Sequence, residues 1–164
     1  MQRLRLIIAV GIFFVSNAGF SQIFLERTGR WVVGGGLGFT EDPGMVRSQL
    51  WVNYYITDEI SVGPLFEYDF QDNDYILGLA GMVKYSAVLK ENRVVRPYGQ
   101  LGIGFIEFNH DELFDGERKT YYLFPVGGGF EFKLAEQVSL DASILFDISR
   151  ETFLGLALGV NYIF

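Results

Sequence analysis

Residues 152–164 read TFLGLALGVNYIF. Leu154, Leu156, Leu158, Val160, Tyr162 and Phe164 fall on one parity and are bulky and apolar. Phe153, Gly155, Ala157, Gly159, Asn161 and Ile163 fall on the other and are mostly small. A period of two marks a strand whose two faces meet different surroundings. The run is also the longest uncharged stretch after residue 21, and it is too short for a spanning helix of ~20 residues. It is long for a soluble strand, typically ~5–6 residues. It suits a tilted membrane strand of ~9–11.

The same alternation recurs seven times upstream. Trp31, Val33, Leu37 and Phe39 oppose Gly34, Gly36 and Gly38. Val46, Leu50, Val52, Tyr54 and Ile56 oppose Arg47, Gln49 and Asn53. Ile60, Val62, Phe66 and Tyr68 oppose Ser61, Gly63, Glu67 and Asp69. Leu77, Leu79, Val83 and Tyr85 oppose Gly78, Ala80, Lys84 and Ser86. Leu101, Ile103 and Phe105 oppose Gln100, Gly102 and Gly104. Tyr122, Phe124, Val126, Phe130 and Phe132 oppose Gly127, Gly129 and Glu131. Val138, Leu140, Ala142, Ile144 and Phe146 oppose Ser139, Asp141, Ser143 and Asp147. Polar turn signals separate the runs near Asp42, Asp58, Asp72, Asn92, Asp115, Glu136 and Arg150. The expectation is an all-β chain: a closed, antiparallel, up-and-down transmembrane barrel of eight strands.

Volume assigns the faces. Eight strands enclose only enough room for side chains to fill. Eight inward rows of Phe, Leu and Tyr would overfill it, whereas glycine and serine crossed by a few long polar residues fit. The greasy face is therefore expected outside, where lipid alone makes it tolerable. In lipid an open sheet edge leaves backbone groups unpaired at several kcal/mol each, so the sheet must close. An even strand number puts both ends of the barrel chain on the periplasmic side. The turns near Asp58, Asn92 and Glu136 are then periplasmic. The loops near Asp42, Asp72, Asp115 and Arg150 are extracellular, including the longest connection, Asn109 to Lys119. Aromatic residues collect toward both strand ends, as interfacial girdles do.

Arg47, Glu67, Lys84, Glu131 and Asp141 all fall on the small-polar face. Charges cut off from water must be paired. A single network joining the two cations to the three acids is expected, plugging the lumen rather than forming an open pore.

These features resemble the small outer-membrane β-barrel family that includes the OmpA membrane domain and OmpX. Val160, Tyr162 and the final Phe164 look like the C-terminal signal read by the barrel-assembly machinery. The segment Arg96-Pro97-Tyr98-Gly99-Gln100-Leu101-Gly102-Ile103-Gly104-Phe105 looks like a fifth strand of such domains. Gly127 to Phe132, followed by Val138-Ser139-Leu140-Asp141, looks like their late hairpin. The resemblance spans roughly residues 29–164, and it implies transient contact with the assembly machinery and lasting contact with lipid and lipopolysaccharide.

The start of the chain, MQRLRLIIAVGIFFVSNAGFSQ, has Arg3 and Arg5, an apolar stretch from Leu6 to Val15, and small residues at Ser16, Ala18, Gly19 and Ser21. That is the layout of a secretory signal peptide. Cleavage after Ala18 or Ser21 fits, so residues 1–21 are read as the signal and 22–164 as the barrel domain, with the outer membrane as destination. Removing residues 1–21 takes away two arginines and no acids, leaving 11 basic and 20 acidic residues. Without a basic run longer than two residues, nucleic acid is not an expected partner. Without cysteine there is no disulfide framework and no thiol nucleophile. No cofactor or metal is implied, and a monomer is expected.

His110 is the single histidine. A lipid A deacylase or acyltransferase built on a barrel needs such a histidine beside a serine at the outer rim. The surrounding loop offers Asp111, Glu112, Asp115 and Glu117 but no serine, so an acidic solvated tip is the plainer reading. Those acids also lack calcium-loop spacing. Arg118, Lys119 and Arg150 could meet lipopolysaccharide phosphates. The runs Gly34-Gly35-Gly36 and Gly127-Gly128-Gly129 lack the Lys-Ser/Thr of a phosphate loop and suit close packing instead. The sequence therefore points to a non-enzymatic membrane barrel with a structural, adhesive or surface-protective role. A lipid-modifying barrel enzyme and a soluble lipocalin-like binder stand as alternatives.

Overall fold

A computed structural model describes residues 26–41, 44–71, 74–87, 94–109 and 119–164. Eight strands follow in order: β1 (Trp31–Glu41), β2 (Met45–Tyr55), β3 (Ile60–Gln71), β4 (Asp74–Ser86), β5 (Val95–Asn109), β6 (Lys119–Lys133), β7 (Val138–Ile148) and β8 (Thr152–Ile163). Each pairs antiparallel with its neighbour in sequence, and β8 returns to β1 to close a barrel. Among the described residues there is no helix. The signal segment, His110 with its acidic neighbours, and Arg118 lie outside the described residues.

The register fixes the barrel's shape. Trp31 pairs with Tyr54, and the perpendicular path continues through Val62, Val83, Leu101, Val126, Phe146 and Leu154 to Glu41. One circuit climbs β1 by ten residues, from Trp31 to Glu41. A stagger of that size in eight strands tilts them by roughly 40° and leaves a lumen that side chains can fill.

Each strand alternates exposed and buried positions, as the period-two pattern requires. Leu37, Leu50, Leu101, Ile103, Phe105 and Leu158 are among the most exposed side chains, Leu158 at 69%. Among the described outward positions of the strands, only Glu41 and Glu107 carry charge, both at the same rim. Between them and the opposite end runs an apolar band of about ten residues along the tilted strands, close to the ~25 Å band of membrane barrels. Aromatic contacts edge it: Trp31–Tyr54 at 5.0 Å and Tyr162–Phe164 at 4.8 Å at one end, Phe105–Tyr122 at 5.6 Å and Tyr68–Tyr75 at 6.1 Å at the other. A lipocalin-like arrangement, with the bulky apolar face inside, is thereby overturned.

The end where β1 begins and β8 finishes is called here the near end. It carries the connections β2–β3, β4–β5 and β6–β7, with β4–β5 the longest of them at residues 87–94. At the far end, connections 42–44, 72–73 and 149–151 are short, and only 110–118 is long.

The barrel interior as the candidate functional site

The inward face holds two groups of ion pairs and an apolar cluster. In the far half, Arg47 of β2 grips Asp69 of β3 with both sides of its guanidinium, Nε to Oδ1 at 2.9 Å and Nη2 to Oδ2 at 2.7 Å. The two residues are register partners, so the sheet presents them to each other. Nη2 also reaches Asp147 Oδ2 at 2.6 Å, and Nη1 lies 3.3 Å from Glu67 Oε1. Thr40 donates to Asp69 at 2.6 Å, and Gln49 to Glu67 at 2.7 Å. One guanidinium thus serves three carboxylates, and all four side chains are buried.

Reaching from β2 to β7 requires clear wall on the strands between. Gly155 of β8 supplies it: a Cβ there would overlap the Arg47 guanidinium. Trp51 is berthed the same way. A Cβ on Gly34 would meet its indole, and one on Gly159 would stand 2.6 Å from its ring. The indole N–H instead donates to Asn161 at 2.6 Å. Gly34 of β1 and Gly155 and Gly159 of β8 are thus the complements of large side chains from β2.

In the near half, Lys84 of β4 donates to Glu131 of β6 at 2.8 Å and lies 3.5 Å from Asp141 of β7. Glu131 and Asp141 are directly opposed across β6 and β7. Two like charges so placed repel, and the ammonium bridges them. Tyr98 donates to Asp141 at 2.7 Å, with its ring 3.5 Å beneath the Lys84 ammonium. Arg27, ahead of β1, donates to Glu131 at 2.6 Å and to the Tyr55 hydroxyl at 2.6 Å. Arg96 is buried here too, as the register partner of Glu131.

The single network expected from the sequence is therefore divided. Arg47 and Glu67 belong to the far group, while Lys84, Glu131 and Asp141 belong to the near one. The height of each residue on its strand is the reason: Arg47 lies near the far end of β2, and Lys84 near the other end of β4. Asp69, Asp147, Arg27, Arg96, Tyr55 and Tyr98 complete the groups without having been counted in them.

The lumen is also more apolar than a glycine–serine interior. Met45, Leu65, Ile76, Met82, Ile106, Phe108, Leu123, Leu145 and Phe153 join Trp51 in one buried cluster. Phe108 lies 5.5 Å from Phe153 and 5.8 Å from Tyr121. Glycine on neighbouring strands leaves room for these residues, so inward bulk and inward glycine coexist. A cavity of about 20 Å³, lined by Gln49, Trp51, Lys84, Tyr98, Gln100 and Asp141 among others, remains between the groups. That holds roughly one water, which is far short of a pore.

At the far rim Arg150 donates to the Tyr121 hydroxyl at 2.9 Å and lies 5.7 Å from its ring. Lys119 is the first residue of β6. Val160, Tyr162 and Phe164 share the outward face, and the Phe164 N–H donates to the Trp31 carbonyl at 2.9 Å.

No family model matches the sequence, and no curated protein is detectably similar to it. Solved structures share its fold. The N-terminal β-barrel domain of Pseudomonas aeruginosa OprF superposes with a TM-score of 0.70, covering 85% of this chain and 100% of that domain at 13% identity. Ail, the attachment invasion locus protein of Yersinia pestis, gives 0.57 over 82% and 97% at 18% identity. The outer membrane enzyme PagL gives 0.51 over 80% and 98% at 13% identity. One architecture thus carries an attachment protein and an enzyme, so the fold does not name the role. The chain has the fold of the small eight-stranded outer-membrane β-barrels, the type that its resemblance to the OmpA membrane domain and OmpX implied.

Proposed function

We propose that the protein is a non-enzymatic integral outer-membrane barrel with a plugged lumen and a structural, adhesive or surface-protective role. The observation that carries this reading is the distribution of charge. The outward band bears none between its rims, while buried, paired ions and an apolar cluster fill the interior. Only hydrocarbon suits that exterior, and only a plug suits that interior. The near end is then periplasmic, the far end extracellular, and residues 1–21 the export signal removed on the way. Val160, Tyr162 and Phe164 are proposed to engage the assembly machinery, which fits their place on an outward-facing final strand.

Extraction and conductance test the proposal together. The protein should stay in the membrane pellet without detergent, migrate faster on gels unboiled than boiled, and stay silent in planar bilayers. Release into the soluble fraction, or steady channel currents, would refute it. The enzyme alternative draws on the shared architecture with PagL and requires His110. Replacing His110 with Ala and analysing lipid A from expressing cells tests that alternative. A lipid A change that depends on His110 would replace the non-enzymatic reading.

A further inference from the structure

The segment ahead of β1 does more than lead into the barrel. Residues 26–30 turn beneath the near mouth, with Gly29 at φ 77°, a conformation that favours glycine. Gly29 donates to the Tyr55 carbonyl at 2.8 Å, and the Tyr55 N–H returns to the Arg30 carbonyl at 3.0 Å. Asp58, in the β2–β3 connection, holds the segment from below. Its Oδ1 accepts from the Arg27 N–H at 2.7 Å, the Thr28 N–H at 3.1 Å and the Thr28 hydroxyl at 3.2 Å. Arg96 donates to the carbonyl of the same Asp58 at 3.2 Å.

Held this way, Arg27 enters the lumen. Its side chain is 0% exposed. The guanidinium spans from Tyr55 on β2, whose ring it also faces at 5.0 Å, to Glu131 on β6. A bond between residues 104 apart in sequence can form only once the barrel has closed. Above it lie Lys84 and Asp141 of the near group.

We propose that residues 26–30 are a strap that shuts the near mouth, with Arg27 as its stopper and Asp58 as its catch. Docked, the strap keeps water from the Lys84–Glu131–Asp141 group. Undocked, it opens the lower chamber while the apolar cluster keeps the far half sealed. The strap is thus a lid on a closed-end chamber and not a channel gate. Calling its side periplasmic rests on the proposed orientation, whereas docking does not.

Limited trypsin digestion of the folded, detergent-solubilised protein tests this, with the peptide ends quantified by mass spectrometry. The Arg27–Thr28 bond should resist cleavage in the folded protein and be cut freely after boiling. Asp58→Ala should speed cutting at that bond by about tenfold, because cleavage tracks the undocked fraction. The same variant should raise labelling of Lys84 by a small water-soluble amine reagent, with the fast-migrating folded gel band retained. If folded wild-type protein is cut at Arg27 as fast as boiled protein, the strap does not dock and the proposal fails. If a folded Asp58→Ala protein shows unchanged cutting and labelling, Asp58 is not the catch. Should that variant lose its folded band, the wild-type comparison still decides whether the strap docks.

Discussion

Replacing Arg47 with Met removes a cation while keeping a long side chain. Asp69 at 2.7 Å, Asp147 at 2.6 Å and Glu67 at 3.3 Å then face one another without their shared counter-ion. All three are at most 4% exposed, so solvent cannot replace it. Breaking a buried ion pair from one side costs about 3–5 kcal/mol. With a urea slope of about 2 kcal/mol per molar, the unfolding midpoint should fall by about 2 M. The assay is urea unfolding in phospholipid vesicles, followed by tryptophan fluorescence and by loss of the fast-migrating band. The variant that also carries Glu67→Gln, Asp69→Asn and Asp147→Asn should recover to within about 0.5 M of wild type, because neutral amides need no counter-ion. A shift below about 0.5 M for Arg47→Met alone would mean that water reaches the group, and the plugged-lumen reasoning would be wrong.

Leu158→Arg, in the middle of the outward band, should cost about 2–4 kcal/mol in lipid, whereas Leu154→Arg near the rim should cost about 0–1; equal effects in vesicle unfolding would refute the lipid-facing assignment. Gly34→Ala sets a methyl against the Trp51 indole and should cost about 1–3 kcal/mol by overpacking; the same change in a Trp51→Leu background should cost less, and equal losses would show that Gly34 is not the berth. Burial pushes the Asp58 carboxyl up, but the N–H groups of Arg27 and Thr28, the Thr28 hydroxyl and the nearby Arg96 together hold it below its ordinary 3.8. A depressed value in the folded state stabilises above the ordinary one and is lost as pH falls through the folded one. The acid step in the Arg27 and Thr28 amide resonances should therefore have its midpoint below 3.8; an Asp58→Asn protein with the same acid step would refute the assignment.

The strands and their faces were legible in the sequence because a single parity runs through each segment, whereas the register was not, since a slip of two residues leaves every face unchanged. The site was legible only in part. Arg47 and Lys84 stood out as lone cations on the small-polar faces of their strands. Asp69 and Asp147 lie on small-polar faces too, but each is followed closely by a polar turn, where an acid reads as rim or loop. Trp51 and Tyr55 are aromatic on a chain whose aromatics mostly face out, yet they share the odd parity of Arg47, Gln49 and Asn53. Arg27 precedes the first alternating run, so no period marks it. Its role comes from the closed barrel bringing β6 within reach, a proximity that local pattern does not encode.

The unequal connections at the far rim bear on recognition. Three of them span 2 or 3 residues, and the connection from Asn109 to Lys119 alone spans nine. On the proposed orientation, residues 110–118 are the longest stretch of sequence between strands at the extracellular rim, so grafting them onto an unrelated barrel should transfer whatever adhesion the proposed role includes.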